Sequence, residues 1–186
     1  MSEVLLAAAL LVAAHQTAWY VLSLIKNDSS LADPAWASGF LLIALTLLFR
    51  NDPPAPTQLT VTLLVSVWGL RLFFYLWGRQ RGRREDWRYR QWRRQWGRWF
   101  KLRSYLQNFL FQGLLILLVA APVLVAAADN DLTKASLAWW QWAGVAVWAA
   151  GFLTETVADQ QLRRFLAARK NAEAVLQTGL WRFSRH

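Results

Sequence analysis

The basic residues of this chain are concentrated in one short stretch, and this distribution constrains the fold more than any other feature. Of 21 lysines and arginines, eleven lie within residues 79–103, where two acidic residues offset them. This block therefore carries +9 of the formal net charge of +10, although 56% of the chain is apolar. Charge segregated in this way leaves uninterrupted apolar runs, which are typical of membrane-spanning segments. A soluble globular domain is thereby excluded.

Five apolar runs flank the basic block, and each predicts a membrane helix. They cover residues 4–25, 34–49, 59–78, 105–128 and 137–158. About 20 residues at roughly 1.5 Å each cross a bilayer core, so the run at 34–49 is short and its helix is allowed to begin a few residues earlier. Asp33 precedes Pro34, a favoured first helical residue, and is expected to cap that helix. The fold class we predict is all-α, an integral membrane multi-helix bundle with about five transmembrane helices.

The basic block also predicts the orientation of the chain. Lysine and arginine close to membrane ends favour the cytoplasmic side, so we expect residues 79–103 and the tail at 159–186 to be cytoplasmic and the N-terminus to lie outside. We treat residues 1–186 as one transmembrane domain with an amphipathic tail. The chain has no cysteine, and its two histidines lie far apart in the sequence, so no metal site is expected.

Aromatic residues alternate with arginine inside the basic block, and three interpretations of this pattern remain open. The segment is suited to an interfacial helix that contacts anionic lipid headgroups, with its aromatic side chains in the interfacial belt. Arginine also pairs bidentately with phosphate, as a cofactor site requires. Stacking on nucleic acid is the third interpretation, but a segment between two membrane spans is a poor place for it. We expect a lipid partner and no nucleic acid.

Four side chains at or near membrane depth are candidates for function. Arg71 lies within the third apolar run, while Glu155 and Asp159, four residues apart on one helix face, end the fifth. The acids are able to bind a cation or to accept hydrogen bonds from hydroxyl groups, or simply to pair with Arg71 or the cytoplasmic arginines. Tyr75, one turn from Arg71, has a phenol able to donate a hydrogen bond, or it belongs to the aromatic belt. His15 is interpreted as a packing residue that makes one interhelix hydrogen bond.

Several spaced motifs in this sequence resemble the bacterial, uncharacterised branch of the steroid 5-alpha-reductase family. The resemblance extends from Asp33 to the end of the chain. The motifs that carry it are Asp33 with Trp36 and Gly39-Phe40, Trp68-Gly-Leu-Arg-Leu-Phe-Phe-Tyr75 with Arg79, Glu85-Asp86-Trp-Arg-Tyr89 with Arg94, Gly151-Phe152 with Glu155, Ala158-Asp159-Gln160 and Phe165, and Thr178-Gly-Leu-Trp-Arg-Phe-Ser-Arg-His186.

This resemblance implies a multi-span reductase of the bacterial inner membrane. Such an enzyme takes hydride from NADPH at the cytoplasmic side and delivers it to an activated C=C bond of a lipid-like or steroid-like enone. By the same resemblance, Tyr75 is the candidate that polarises the substrate carbonyl. The implied cofactor-binding residues are Glu155, Asp159, Arg163, Arg164 and Arg185, with the arginines as phosphate partners.

Two alternatives and one departure accompany the resemblance. The terminal Ser-Arg-His is shared in part with isoprenylcysteine methyltransferases, so a membrane methyltransferase of the isoprenylcysteine or phospholipid type that uses S-adenosylmethionine is the second enzymatic hypothesis. A membrane protein that binds anionic lipid without catalysis is the third. The family pattern continues past Ser-Arg-His with Pro-Asn-Tyr, Gly-Glu and further helices, so this chain is expected to be C-terminally truncated.

Overall fold

The computed structural model describes residues 2–50, 53–82, 84–128, 136–169, 171 and 174–183. Within those residues every regular element is a helix, which confirms the predicted all-α class. The chain divides into two compact units, Met1–Ser136 and Leu137–His186, each with its own internal packing.

Eight α-helices occur in the described part of the chain. In chain order they are α1 (Ser2–Lys26), α2 (Ala32–Arg50), α3 (Pro56–Gln80), α4 (Trp87–Trp96), α5 (Phe100–Arg103), α6 (Phe111–Val119), α7 (Ala121–Ala128) and α8 (Trp139–Ala168). Single 3₁₀ turns occupy Ser29–Leu31, Gly97–Trp99 and Gly179–Phe183, and a π-helical stretch covers Ser104–Leu110.

Four helical segments of the described chain are long and apolar enough to cross a membrane. They are Ser2–Lys26, Ser29–Arg50, Pro56–Gln80 and Trp87–Val119. They correspond to the first four of the five expected spans. The fifth expected span forms the 30-residue α8, which is long enough but does not belong to this set. Its apolar run is diluted by Gln141 and Glu155.

The start of α2 differs from the sequence prediction. Asp28, not Asp33, is the capping residue: its side chain accepts a hydrogen bond from the Ser30 backbone N–H at 2.9 Å and begins a 3₁₀ turn that leads into the helix. The prediction that Asp33 caps this helix is wrong, because Asp33 lies inside the first turn with its carboxylate turned toward α3 and α4. The expectation that the short helix begins before Pro34 is confirmed.

Helix α2 is the centre of the first unit. It packs against α1, α3, α6 and α7, and its buried face is built largely of small residues with Phe40, Ile43 and Leu47 between them. Gly39 and Gly69 sit where neighbouring helices approach most closely. A Cβ at Gly39 would lie 2.7 Å from Ile116 Cδ1, and one at Gly69 would lie 2.9 Å from Leu41 Cγ. Small residues at these contacts let helices pack closely by van der Waals contact, which matters in a membrane because the hydrophobic effect does not drive helices together there.

The fourth apolar run, 105–128, is helical but not one continuous helix. The backbone of Ala120 departs from helical geometry with ψ of 3°, and α7 begins at the next residue. Pro122 lies in the first turn of α7; it has no backbone N–H to donate, and in an unbroken helix its ring would clash with the Leu118 carbonyl four residues earlier. The run is therefore divided into two helices at this point.

Candidate functional site

The carboxylate of Asp33 joins three helices at one end of the first unit. Its Oδ2 accepts a hydrogen bond from Arg79 Nη2 at 3.1 Å and lies 3.4 Å from Gln80 Nε2, both on the last turn of α3. Its Oδ1 accepts a hydrogen bond from the Tyr89 hydroxyl at 3.4 Å, and Tyr89 belongs to α4 and is 4% exposed. One acidic side chain thus holds α2, α3 and α4 together.

A second ion pair attaches α4 to the turn before α2. Arg93 Nη2 donates a hydrogen bond to Glu85 Oε1 at 2.8 Å, and the same oxygen accepts the Ser29 backbone N–H at 2.9 Å. The Glu85 side chain is only 10% exposed, so the contact is largely shielded from solvent. Both acids of the basic block therefore have internal partners, because the neighbouring Asp86 is also engaged.

Asp86 caps α4. Its Oδ1 accepts hydrogen bonds from the Arg88 backbone N–H at 2.9 Å and from Arg88 Nε at 3.0 Å, while its own backbone N–H donates to Ser30 Oγ at 2.8 Å. Partial burial by itself raises the pKa of Asp86, but the two hydrogen bonds and the positive charge from Arg88 outweigh it. The pKa of Asp86 consequently lies below its usual value.

A cavity of about 220 Å³ opens beside these ion pairs. Arg79, Arg84 and Arg90 contribute positive charge to its wall, and four acidic residues contribute negative charge. The complete lining comprises Asp28, Ser30, Asp33, Arg79, Gln80, Arg84, Glu85, Asp86, Trp87 and Arg90. A wall of mixed charge in which three of the four acids already pair with arginines stabilises the helix ends and does not select a ligand of one sign.

The inner face of α4 is aromatic. The rings of Trp92 and Trp96 stack with centroids 5.3 Å apart and planes 6° from parallel, and Phe100 follows at 5.9 Å from Trp96. The guanidinium of Arg93 lies 4.2 Å from the centre of the Phe100 ring. This ladder explains why aromatic residues alternate with arginine in the block: the aromatic residues turn inward and give α4 two distinct faces.

His15 makes the interhelix hydrogen bond expected of it. Its Nε2 lies 3.0 Å from Ser38 Oγ on α2, and Trp19 Nε1 donates a hydrogen bond to the same nitrogen at 3.0 Å. The indole of Trp19 also packs edge-on against Phe73 and Trp77 of α3. His15 and Trp19 together link α1 to α2 and α3, so the imidazole is a packing element.

In the second unit, the predicted nucleotide contacts lie along the last turns of α8. Glu155, Asp159 and Arg163 follow each other at four-residue intervals and so share one helix face, with both acids partly buried and the arginine exposed. Arg164 is exposed on the adjoining face. Two carboxylates and one or two guanidinium groups are thereby arranged along about two turns of helix.

The segment after α8 folds back onto its last turns. Leu180 donates its backbone N–H to Gln161 Oε1 at 2.9 Å, and Trp181 Nε1 donates to the Ala158 backbone oxygen at 2.9 Å. Gly179 makes this approach possible, because its φ is +63° and a Cβ there would lie within 2.5 Å of the Gln161 amide. The Gly-Leu-Trp motif is therefore held against the side of α8 that carries Ala158 and Gln161.

The structure places the predicted site residues on helices of both units. Tyr75 and Arg71 are on α3 of the first unit, Glu155, Asp159, Arg163 and Arg164 are on α8 of the second, and Arg185 lies outside the described residues. No group of three or more His, Cys, Asp or Glu side chains suited to a metal occurs among the described residues. The roles of the six predicted residues stay predictions.

Sequence reasoning missed the Asp33 cluster. Glu85 and Asp86 carried a signal, since they are the acids that interrupt a block of eleven basic residues. An acid retained inside such a block is a candidate for an internal ion pair. Nothing in the spacing identified Asp33 as their neighbour, because 52 residues separate it from Glu85.

Comparison with known proteins provides one match. The model of a family described as "Protein of unknown function (DUF1295)" matches residues 19–186. No curated protein and no solved structure matches the chain. Because the match covers both structural units and nearly the whole sequence, the chain belongs to the DUF1295 family.

Proposed function

We propose that this protein is a membrane-embedded, NADPH-dependent reductase that saturates an activated C=C bond in a lipid-like or steroid-like enone. The observation that carries the proposal is the face of α8 on which Glu155, Asp159 and Arg163 stand in line. Supporting it, the DUF1295 family is associated with steroid 5-alpha-reductase-like proteins. The four helical segments that are long and apolar enough to cross a membrane would place the protein where a water-insoluble substrate is dissolved.

The donor set on α8 fits the chemistry of a dinucleotide. Carboxylates accept hydrogen bonds from ribose hydroxyls, as Glu155 and Asp159 would do. Guanidinium groups pair bidentately with phosphate, which is the role proposed for Arg163 and Arg164, with Arg185 as a further contact. The exposure of both arginines and the partial burial of both acids agree with this division of work.

When bound, NADPH supplies the hydride, and the protein's own residues bind, orient and stabilise. Reduction of an enone places developing negative charge on the carbonyl oxygen, and Tyr75 would donate a hydrogen bond to that oxygen. The proposed location is the bacterial inner membrane, with the nucleotide bound at the cytoplasmic side, where positive residues collect.

Nucleotide binding to the purified full chain in detergent tests the proposal. NADPH absorbs where tryptophan emits, so it should quench the emission of this tryptophan-rich protein in a saturable manner. Asp159→Asn should weaken that binding about tenfold, since a hydrogen bond to a charged group contributes roughly 1.5 kcal/mol or more. Glu3→Gln removes an acid at the far end of the sequence and serves as the matched control. Binding of S-adenosylmethionine without NADPH would instead favour the methyltransferase.

A second measurement distinguishes the roles of Arg163 and Arg164. Comparing NADPH with NADH isolates the 2′-phosphate, because the two cofactors differ only there. The arginine that contacts this phosphate should, when changed to glutamine, lose the preference for NADPH and leave NADH affinity unchanged. Arg163→Gln and Arg164→Gln are compared with Arg169→Gln, an exposed arginine one residue past the end of α8. An unchanged preference in both variants contradicts the assignment of phosphate contacts to this face.

A further inference from the structure

The outer face of α4 is exposed and carries two arginines. Trp87, Arg90, Gln91 and Arg94 lie at intervals of three and four residues, so they share one face of the helix, and all four are exposed. The opposite face is the aromatic ladder, where Tyr89 is 4% exposed. We call Trp87, Arg90, Gln91 and Arg94 the outer basic face.

The internal ion pairs of the block do not involve this face. Arg79, Arg88 and Arg93 pair with Asp33, Asp86 and Glu85, respectively. Within the described part of the chain, no ion pair joins Arg90 or Arg94 to an acid. The two acids of the block thus pair with Arg88 and Arg93, and neither of them pairs with Arg90 or Arg94.

The outer basic face also has a concave shape. An open groove of about 360 Å³ is lined by Trp87, Arg90, Gln91 and Arg94, and no carboxylate contributes to its wall. A groove with two guanidinium groups, an amide and an indole offers bidentate donors for a phosphate and an apolar surface beside them. Trp87 and Arg90 also line the adjacent 220 Å³ cavity, whose wall includes four acids, whereas Gln91 and Arg94 belong to the groove and not to that cavity.

The position of α4 indicates the source of the phosphate that the groove would bind. The helical segment Trp87–Val119 has 33 residues, or about 50 Å of helix, whereas a bilayer core is about 30 Å thick. A bilayer core needs only about 20 of these residues, and the first ten carry four arginines, so this first part lies outside the hydrocarbon. Gly97, with φ of +50° and ψ of −124°, separates α4 from the span that follows, so α4 is not a straight continuation of it. A short helix of this composition, joined directly to two spans, lies at headgroup level.

We propose that the outer basic face binds the phosphate of an anionic membrane lipid, with Arg90 and Arg94 as the phosphate ligands and Trp87 beside the glycerol and acyl region. The site is independent of the nucleotide site proposed on α8. It would hold α4 against the cytoplasmic leaflet, because a basic residue near an anionic surface contributes roughly fivefold to membrane affinity.

Lipid selectivity of the full chain reconstituted in vesicles tests this site. Spin-labelled phosphatidylglycerol and phosphatidylcholine report, by electron paramagnetic resonance, how strongly each lipid is retained at the protein surface. Arg90→Gln with Arg94→Gln should reduce the preference for phosphatidylglycerol about 25-fold, the product of two fivefold losses. The control, Lys101→Gln with Arg103→Gln, removes the same charge from exposed positions of the same block outside the groove.

The possible outcomes distinguish a specific lipid site from attraction by total charge and from a site for a soluble phosphate. A loss confined to the Arg90 and Arg94 variant supports the site. Equal losses in both variants would mean that the block attracts anionic lipid only through its total charge, and would overturn it. An unchanged preference in both would overturn it as well. Displacement of the labelled phosphatidylglycerol by millimolar NADPH or inorganic phosphate would assign the groove to a soluble phosphate and contradict the lipid assignment.

Discussion

The hydroxyl of Tyr89 donates a hydrogen bond to Oδ1 of Asp33 at 3.4 Å, across 56 residues of sequence. Because Asp33 also accepts from Arg79 at 3.1 Å, this pair fixes the start of α4 against the ends of two membrane helices. The phenol is buried and the carboxylate is 18% exposed, so the contact is sheltered. The basic block is thereby anchored to the membrane bundle by an acid that lies outside the block.

We expect Asp33→Ala to destabilise the first unit more than Tyr89→Phe. The alanine variant removes the acceptor of Arg79 and Tyr89, whereas Gln80 keeps the Ser30 backbone oxygen, and it should cost about 2 kcal/mol, a value reduced because Arg79 is partly exposed. Tyr89→Phe removes one long hydrogen bond and should cost about 0.5 kcal/mol. Thermal unfolding in detergent measures both. Asp33→Asn keeps the shape and should fall between them; equal effects from all three variants contradict the proposed role of the charge.

Asp86 predicts a pH dependence of stability. Its pKa is lowered in the folded chain by Arg88, so its contribution is complete above the unfolded pKa of about 3.9 and is lost as pH falls through the lower folded value. Asp86→Asn should therefore lower the melting temperature at pH 7 and have progressively less effect below about pH 4. The quantity to plot is the difference between the two proteins, because other carboxylates titrate in both. A difference that stays constant down to pH 2 would contradict the lowered pKa.

The sequence was informative about the fold because burial in a membrane and helix formation both follow from local patterns. Apolar runs of about 20 residues predict helices whatever their neighbours are. Four helical segments of the described chain are both long enough and apolar enough to span a membrane. Helix ends were less predictable. Asp33 carried the signature of a cap, but Asp28 occupies that role because a 3₁₀ turn begins the helix earlier.

The contacts around the basic block could not be predicted, and the reason is physical. A hydrogen bond between residues 56 positions apart depends on which helices become neighbours and on their relative rotation. Sequence spacing specifies the face of one helix, as for Trp87, Arg90 and Arg94, but not the face that opposes it. Spacing alone is enough to predict the two faces of α4, but it is not enough to predict the partners of Glu85 and Asp86.

Gly97 should tolerate no side chain, although the space around it is open. Its φ of +50° with ψ of −124° is accessible to glycine and strained for any other residue, so Gly97→Ala should destabilise the protein by about 1–3 kcal/mol. Gly78 also has open space around it but lies within α3, and Gly78→Ala should be neutral or stabilising by up to about 1 kcal/mol. Melting temperatures of the two variants test the contrast, and a stabilised Gly97→Ala would contradict the backbone geometry.

Gly179→Ala should release the segment that folds back onto α8. The new Cβ would lie 2.5–2.7 Å from the Gln161 amide, and the positive φ would add backbone strain. We expect the backbone amide of Leu180, which donates to Gln161, to lose at least about tenfold of its protection from hydrogen exchange, equivalent to roughly 1.4 kcal/mol. Gly144→Ala, within α8 and with open space at its Cβ, is the control and should leave Leu180 protected.

Tyr75→Phe tests the proposed catalytic role apart from folding and cofactor binding. Loss of one donor to a developing oxyanion typically lowers kcat by about 10²–10³. The proposed nucleotide contacts are all on α8 or in the C-terminal motif, so NADPH affinity should be unchanged. A steroidal enone serves as the probe substrate, with NADPH oxidation and the saturated product measured together. Tyr20→Phe is the matched control, because its phenol donates to the Lys101 backbone oxygen and has no proposed part in the chemistry. Equal losses in kcat for both variants, or weaker NADPH binding in Tyr75→Phe, would show that the phenol acts through the fold and not on the substrate carbonyl.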